Sequence, residues 1–244
     1  MTPFDIGRGL PLAAVVTCEH ASRAIPAELH DLGLPAGVLT SHRAWDPGAS
    51  GVAKALAKAL GVPLHLGRWS RLVVDLNRSH DHQNAIVRRV DGRDVPGNRI
   101  DRGARTWRLA KYWSPYRDAA MADLLAAASR GVVLHLSVHS FTPALNGKVR
   151  PNDIGLLHDP DRSWEVALCE GLKPHLVEAG LSVRRNFPYF GDTDGFTSHM
   201  RRVLPPNDYV GIEIECNQRL VASRAGERRV AAALVMAMRR VLGG

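Results

Sequence analysis

Residues 132–141 read VVLHLSVHSF, and this run decides how the rest of the 244-residue sequence is interpreted. Its apolar residues alternate with His135, Ser137 and His139, so a β-strand would place these three polar side chains on one face. A run this apolar is typical of a sheet buried on both faces, where every polar group needs a partner. We therefore predict a central strand at Val132–Val138 with titratable groups near its carboxyl end.

Other short apolar runs alternate with amphipathic segments, which is the pattern of an α/β fold with a mixed, mostly parallel sheet flanked by helices. The predicted strands are Ala13–Cys18, Pro63–Leu66, Arg71–Leu76, Val132–Val138, Ile154–His158, Leu181–Arg184 and Tyr209–Ile214. The predicted helices are Ser50–Leu60, Thr106–Ser129, Ser163–Ala179 and Arg224–Val241. Residues 79–103 are predicted to form a long loop or lid, and residues 186–208 an irregular segment, because both are rich in Gly, Pro or Asp.

Composition narrows the class of protein. The chain is 45% hydrophobic, enough for a packed core, and the absence of repeats or linker-like tracts favours a single domain over residues 1–244. Three cysteines are too few for a disulfide framework and favour a cytoplasmic location. Met1–Pro11 lacks the apolar core of a signal peptide, and no apolar run approaches the ~20 residues of a membrane span. The net charge of +8 is explained by attraction of a small anionic substrate or simply by solubility, whereas nucleic acid is disfavoured because the arginines are dispersed.

Polar residues also follow the first predicted strand, where Glu19 and His20 occur in the sequence Cys18-Glu-His-Ala-Ser22. In open α/β sheets, ligands bind at the carboxyl ends of the strands. Taken alone, this pair is better explained as an exposed Glu-His pair in a turn. Asp46, just before the first long helix, is by itself explained as a turn or N-cap residue, and His199 is similarly ambiguous.

Two further motifs carry charge beside apolar runs. Residues 71–78 read RLVVDLNR, and their amide and guanidinium groups at Asn77 and Arg78 are suited to holding a carboxylate, although a surface salt bridge is the alternative. Glu213 and Glu215 share one face of a late apolar strand. Buried carboxylates need a cation, a metal or a proton, whereas an edge strand with a solvated acidic face needs none.

Together, the motifs at Cys18–Pro26, Arg71–Arg78 and His135–Phe141 resemble the N-formylglutamate amidohydrolase family, over roughly Val15 to Leu220. The same elements are similar to those of zinc carboxypeptidases. The resemblance implies a zinc-carboxypeptidase-like, phosphorylase/hydrolase-like fold. It also implies a zinc-dependent enzyme that converts N-formyl-L-glutamate to formate and L-glutamate, a reaction of histidine degradation.

The resemblance further implies a ligand set for one Zn²⁺ ion. His20 and His139 match metal-ligand positions. Carboxypeptidases place a Glu three residues after the first of these, where this chain has Arg23, so the third ligand must differ. Asp46 is the favoured third ligand and Glu19 the alternative, which gives the usual catalytic zinc set of two histidines and one carboxylate.

The same resemblance assigns the general base and the substrate contacts. The family pattern fits Ile214–Gln218 best and makes Glu215 the base, although Glu213 lies on the same strand face. The substrate's carboxylate is assigned to Asn77 and Arg78, with Arg71 and either Arg184 or Arg185 assisting. Two other functions remain open, namely a metallo-amidase or peptidase for another N-acyl amino acid or small peptide, and a non-catalytic module that binds nucleic acid or another anion.

Overall fold

A computed structural model describes residues 13–243, in which six strands form one sheet. The strands are β1 (Ala13–Cys18), β2 (Leu64–Leu66), β3 (Val133–Phe141), β4 (Ile154–Leu157), β5 (Val183–Arg185) and β6 (Tyr209–Asn217). Their order is β2-β1-β3-β6-β4-β5, and the first four are parallel to one another. β4 runs antiparallel to β6, and β5 runs parallel to β4. The predicted single-domain α/β class, with a mixed and mostly parallel sheet, is confirmed.

Helices cover both faces of this sheet. They are α1 (Ala36–Leu39), α2 (Ala49–Leu60), α3 (Arg102–Arg108), α4 (Ser114–Ala128), α5 (Ser163–Glu178), α6 (Phe196–Val203) and α7 (Arg224–Leu242). A π-helical turn, Leu109–Trp113, joins α3 to α4. α2, α5 and α7 pack on one face, while α4 and α6 pack on the other. Among the described residues, no helix has the length and apolarity needed to cross a membrane. Met1–Pro11, where the sequence predicts no signal peptide, lies outside the described residues.

The side chains of β3 alternate between the apolar core on one face of the sheet and the polar groups on the other face. Leu134, Leu136 and Val138 lie in the core shared with α2, α5 and α7. His135 and His139 therefore point to the opposite face, as the period-two pattern predicts. The same alternation in β6 and β1 gathers the polar side chains of the sheet on the face that also packs against α4 and α6.

The predicted strand Arg71–Leu76 is wrong, because this segment forms a turn. Ser70 initiates the turn: its hydroxyl donates to the carbonyl of Ala44 at 2.7 Å and accepts the amide of Leu72 at 3.1 Å. The valines that gave the segment a strand-like pattern are buried in a second apolar cluster, separate from the sheet. A short apolar run cannot reveal which of two cores it fills.

Several other element boundaries differ from the prediction. The predicted helix Thr106–Ser129 begins at Arg102 and is interrupted by the π-helical turn. The predicted loop over residues 79–103 contains a two-residue hairpin, Arg89–Val90 with Arg93–Asp94. The segment 186–208 contains α6, which the sequence did not predict, since glycine and prolines surround it.

α6 is anchored to α5 by a buried ion pair between Arg201 and Glu165, whose nitrogens and oxygens meet at 2.9 Å. Replacing Arg201 with alanine leaves a carboxylate without a cation in the interior, so we expect it to lower the free energy of unfolding by about 3–5 kcal/mol. Arg185→Ala is the control, because Arg185 pairs with Glu170 at the surface and should cost at most ~1 kcal/mol. Urea unfolding of both variants measures the difference, and equal costs would contradict the structural role of the buried pair.

Candidate metal centre and active site

The carboxyl ends of three parallel strands meet at one edge of the sheet. His20 follows β1, His139 lies near the end of β3, and Glu215 pairs directly with His139 in the register of β6. The loop before α2 brings in Asp46, whose backbone amide donates to the carbonyl of His20 at 3.0 Å. Four residues predicted from separate parts of the sequence are thus neighbours.

His20, Asp46 and His139 form a compact, buried donor set. Each is at most 4% exposed, and one ligand atom from each lies within 4.8 Å of the others. The Asp46 Oδ2 atom is 3.0 Å from His139 Nδ1 and 3.4 Å from His20 Nδ1. Both imidazoles therefore turn their Nδ1 atoms toward the same carboxylate oxygen.

Two further carboxylates, Asp75 and Glu19, contact the Nε2 atoms of the two histidines. His20 donates from Nε2 to Asp75 at 2.7 Å, and His139 Nε2 lies 3.1 Å from Glu19 Oε2. Carboxylate partners of this kind fix the tautomer and ring orientation of histidines that ligate metals. Glu19 is thereby engaged behind His139, so the geometry favours Asp46 over Glu19 as the third donor. The sequence analysis gave no role to Asp75, although it lies inside the Arg71–Arg78 motif.

The charges in this cluster are strongly coupled. Burial opposes ionisation of His139, but its hydrogen bonds to Asp46 and Glu19 outweigh this and raise its pKa well above the usual value. Burial likewise opposes ionisation of Glu19, yet the hydrogen bond and charge of His139 hold the Glu19 pKa far below its ordinary range. The pKa of Asp46 is held low in the same way, with His20 and His139 outweighing burial. Carboxylates that stay ionised in a buried site attract a cation.

Two buried atoms in this site have no hydrogen-bond partner within residues 13–243: His20 Nδ1 and Glu215 Oε2. Leaving a buried polar atom unsatisfied costs free energy, so such atoms in a native structure call for an explanation. A bound metal ion would account for the unpartnered His20 Nδ1 atom. The Nε2–H of His20 is donated to Asp75, which leaves the lone pair of Nδ1 free to bind a metal. Two imidazole nitrogens and one carboxylate oxygen are the donor set of a catalytic zinc site.

The structure also separates the two late carboxylates. Glu215 is level with His139, whereas Glu213 is level with Ser137, two residues further from the carboxyl edge. Glu213 Oε1 accepts a hydrogen bond from the hydroxyl of Thr197 at 2.8 Å. Burial raises the pKa of Glu215 to about 8, and a neighbouring cation would favour its ionised form.

The three predicted substrate-binding residues all line a cavity of about 730 Å³ that opens over the donor set. Arg71 lies closest to it, with Nη2 2.8 Å from Asp75 and Nη1 3.6 Å from Asp46. The Asn77 side chain accepts the amide of Phe196 at 2.8 Å. Arg78 donates to the carbonyl of Asp194 at 2.6 Å.

Arg184 and Arg185 lie elsewhere in the described structure and are not among the residues lining this cavity. Arg184 stacks over Phe187, 4.9 Å from the ring centroid, and Arg185 pairs with Glu170. Their predicted assistance in substrate binding is not supported. They occupy β5, the edge strand on the opposite side of the sheet from β2.

Two residues not predicted from the sequence, the buried Arg117 and the partly buried Trp113, hold the Arg78 loop. Arg117 donates to the carbonyl of Leu76 at 3.0 Å, and Trp113 donates from its indole nitrogen to the carbonyl of Arg78 at 3.0 Å. Trp113 is the last residue of the π-helical turn, and Arg117 lies one helical turn further along. The irregular helix therefore places two donors against the chain that presents Arg78 to the cavity.

The remaining candidate histidines lie outside the donor set. His135 is hydrogen-bonded on both nitrogens, to Tyr209 at 2.7 Å and to Thr17 at 2.8 Å, and burial lowers its pKa to about 3. It is a neutral core histidine. His199 lies half-buried on α6, and it is not among the residues lining the cavity.

Fold and site together define an α/β protein with a candidate metal centre at the carboxyl edge of its sheet. A family model described as N-formylglutamate amidohydrolase matches residues 12–222, and the chain belongs to that family. The family supports an enzyme that hydrolyses amide bonds.

Comparison with solved structures gives two close matches in shape. Gene product Atu2144 from Agrobacterium tumefaciens is 34% identical, with a TM-score of 0.85, over 96% of this chain and 92% of that one. The N-formylglutamate amidohydrolase from Ralstonia eutropha JMP134 is 20% identical, with a TM-score of 0.77, over 98% and 95% of the two chains, and it shows the shared fold. A search of curated proteins found no match.

The hydrogen bond between His20 and Asp75 leads to a prediction for metal affinity. Asp75→Asn weakens the hold on the Nε2–H of His20, so we expect zinc affinity to fall by roughly 10- to 100-fold. Asp123→Asn is a matched control, because Asp123 and His65 form another histidine–carboxylate pair that does not line the cavity. The His65 Nε2 and Asp123 Oδ2 atoms are 2.8 Å apart. Competition with a chromophoric chelator measures both affinities. Wild-type affinity in Asp75→Asn would show that His20 does not depend on this partner.

Proposed function

We propose that this protein is a zinc-dependent amidohydrolase that cleaves the amide bond of an N-acyl acidic amino acid. N-formyl-L-glutamate, which would give formate and L-glutamate as in histidine degradation, is the first substrate to test. The observation that carries the proposal is the buried set of His20, Asp46 and His139, in which His20 Nδ1 lacks a partner among the described residues. The cysteines Cys18, Cys169 and Cys216 are free and buried, which supports a reducing, cytoplasmic location.

The residues divide the chemistry among them. His20, Asp46 and His139 would hold the zinc ion, which when bound polarises a carbonyl and lowers the pKa of water toward ~7. Glu215 is the group suited to accept the proton of the attacking water and to deliver it to the departing nitrogen, because its free oxygen is buried beside His139.

Binding of the substrate's carboxylate falls to the residues of the 71–78 segment. Arg78 and Asn77 line the cavity at a distance from the donor set, where a planar guanidinium can hold a carboxylate bidentately. Arg71, beside Asp46 and Asp75, is nearer the position of the scissile carbonyl. A small anionic substrate is the partner that these cationic groups favour.

Arg78 can be tested by kinetics. Arg78→Ala should raise KM for an N-acylglutamate by roughly tenfold or more, since hydrogen bonds to charged groups contribute about 1.5–3 kcal/mol. The KM of an uncharged analogue should change little. Arg89→Ala is the control, because Arg89 also lines the cavity but pairs with Asp94. Equal losses on the charged and uncharged substrates would assign Arg78 a structural role instead.

Two measurements on the purified protein separate this function from the alternatives. Zinc analysis should find about one ion per chain, and a panel of N-acyl acidic amino acids, N-acyl neutral amino acids and dipeptides should be hydrolysed with the acidic compounds preferred. Preference for dipeptides would indicate a peptidase. Protein without zinc that is retained on DNA at moderate salt would indicate a binding module.

A further inference from the structure

Resting on the proposed function, we infer that the acyl group removed by this enzyme is larger than formyl and is apolar, of the size of a benzoyl group. The inference comes from one wall of the cavity, formed by Tyr189 and Phe190, which we call the aromatic wall. Its position, its exposure and the volume of the cavity each support a bulky acyl group.

The cavity exceeds what the smallest substrate needs. Its volume of about 730 Å³ lies within the ~300–1,000 Å³ range of pockets that hold drug-sized ligands. N-formyl-L-glutamate is much smaller than such ligands, and a formyl group presents only a hydrogen beyond the scissile carbonyl. A substrate with its carboxylate at Arg78 and its carbonyl at the donor set therefore leaves much of the cavity unfilled.

The aromatic wall is placed beside the catalytic carboxylate by a glycine. Gly155 on β4 pairs with Glu215 in the sheet register. A Cβ at Gly155 would lie 2.2 Å from the carbonyl oxygen of Phe187. The backbone at Phe187 can therefore pass directly against β4 only because Gly155 has no side chain. The residues that follow, Tyr189 and Phe190, line the cavity next to Glu215.

Tyr189 is held in place by Arg150. The guanidinium donates to the phenolic oxygen at 3.1 Å and lies 5.1 Å from the ring centroid. These two contacts restrict the movement of the Tyr189 ring. The aromatic wall is thus a positioned surface.

The exposure of the aromatic wall indicates a ligand. Phe190 is 65% exposed and Tyr189 is 42% exposed, although both line the cavity that contains the buried donor set. Phe141, Leu145 and Leu157 continue the lining with apolar side chains. The arginines that line the cavity all precede β3 in the chain and so belong to segments other than the aromatic wall. An apolar acyl group would cover the exposed surface of Tyr189 and Phe190.

The reaction is the same hydrolysis for each acyl group. Water adds its oxygen to the acyl carbon, the acyl carbon–nitrogen bond breaks, and a water proton goes to the nitrogen. N-benzoyl-L-glutamate would give benzoate and L-glutamate. No other reactant is needed.

Kinetics of the zinc-loaded protein test the inference, using N-formyl-, N-acetyl- and N-benzoyl-L-glutamate. We expect kcat/KM for the benzoyl substrate to exceed that for the formyl substrate by roughly 10- to 100-fold, the effect of burying one aromatic group. Phe190→Ala should lower kcat/KM for the benzoyl substrate far more than for the formyl substrate and so remove most of this preference. Val149→Ala is the matched control, because Val149 is 73% exposed but is not among the residues lining the cavity.

Each outcome has a distinct meaning. A higher kcat/KM for the formyl substrate, or equal losses on both substrates in Phe190→Ala, would overturn the inference and leave the proposed function intact. If none of the three amides is hydrolysed by protein that carries zinc, the proposed function fails and this inference fails with it. Benzoyl preference that depends on Phe190 and not on Val149 supports it.

Discussion

His139→Ala is expected to abolish zinc binding and to lower amide hydrolysis to the level of metal-free protein. The substitution removes one of three donors and leaves Asp46 and Glu19 without the imidazole that lies between them. Loss of several kcal/mol of transition-state stabilisation by the metal corresponds to a rate factor on the order of 10³ or more. Metal analysis and initial rates measure the two effects.

The fold of this variant should persist, because His139 lies at the end of β3 and the apolar residues of that strand face the other side of the sheet. Circular dichroism and the unfolding midpoint provide that check. His199→Ala is the control, since His199 is a half-buried histidine that is not among the cavity-lining residues, and it should keep zinc and rate. Full zinc occupancy in His139→Ala would remove this residue from the ligand set. His20→Ala should behave as His139→Ala does.

Glu215→Gln is expected to retain zinc and to lower kcat by a factor on the order of 10²–10⁴, the range for a lost acid–base group. Glutamine keeps the size of the side chain but cannot accept the proton of water. Glu215 lies opposite His139 in the register of the two strands. Its Oε2 atom has no hydrogen-bond partner among the described residues. Steady-state kinetics with a parallel zinc analysis measure the outcome.

Glu213→Gln is the matched control on the same strand face. Glu213 is two residues further from the carboxyl edge, and its Oε1 atom accepts a hydrogen bond from Thr197. It should therefore keep much more of the rate. An inactive Glu213→Gln together with an active Glu215→Gln would move the general base by two residues along β6.

Six of the seven predicted strands, and the gathering of the candidate site residues at one edge of the sheet, could be predicted because they depend on local pattern. Alternation in residues 132–141 located His139 on the polar face, and β1 has the predicted bounds, Ala13–Cys18. In a parallel sheet, side chains at several carboxyl ends must meet, which brings His20, His139 and Glu215 together.

What could not be predicted depends on contacts between distant segments. The valines of residues 71–76 fill a second core, so their pattern imitated a strand. The pairing of Asp75 with His20 and of Glu19 with His139 is visible only after the chain has folded. The distinction between Glu213 and Glu215 likewise required the register of β6 against β3.

Zinc-dependent amide hydrolysis is tested by glutamate release from an N-acyl-L-glutamate series, beginning with N-formyl-L-glutamate, before and after removal of zinc by a chelator. We expect about one zinc per chain, loss of hydrolysis when the zinc is removed, and recovery when one equivalent is restored. Hydrolysis that continues at the original rate in protein shown to contain no metal would contradict a role for zinc in this enzyme.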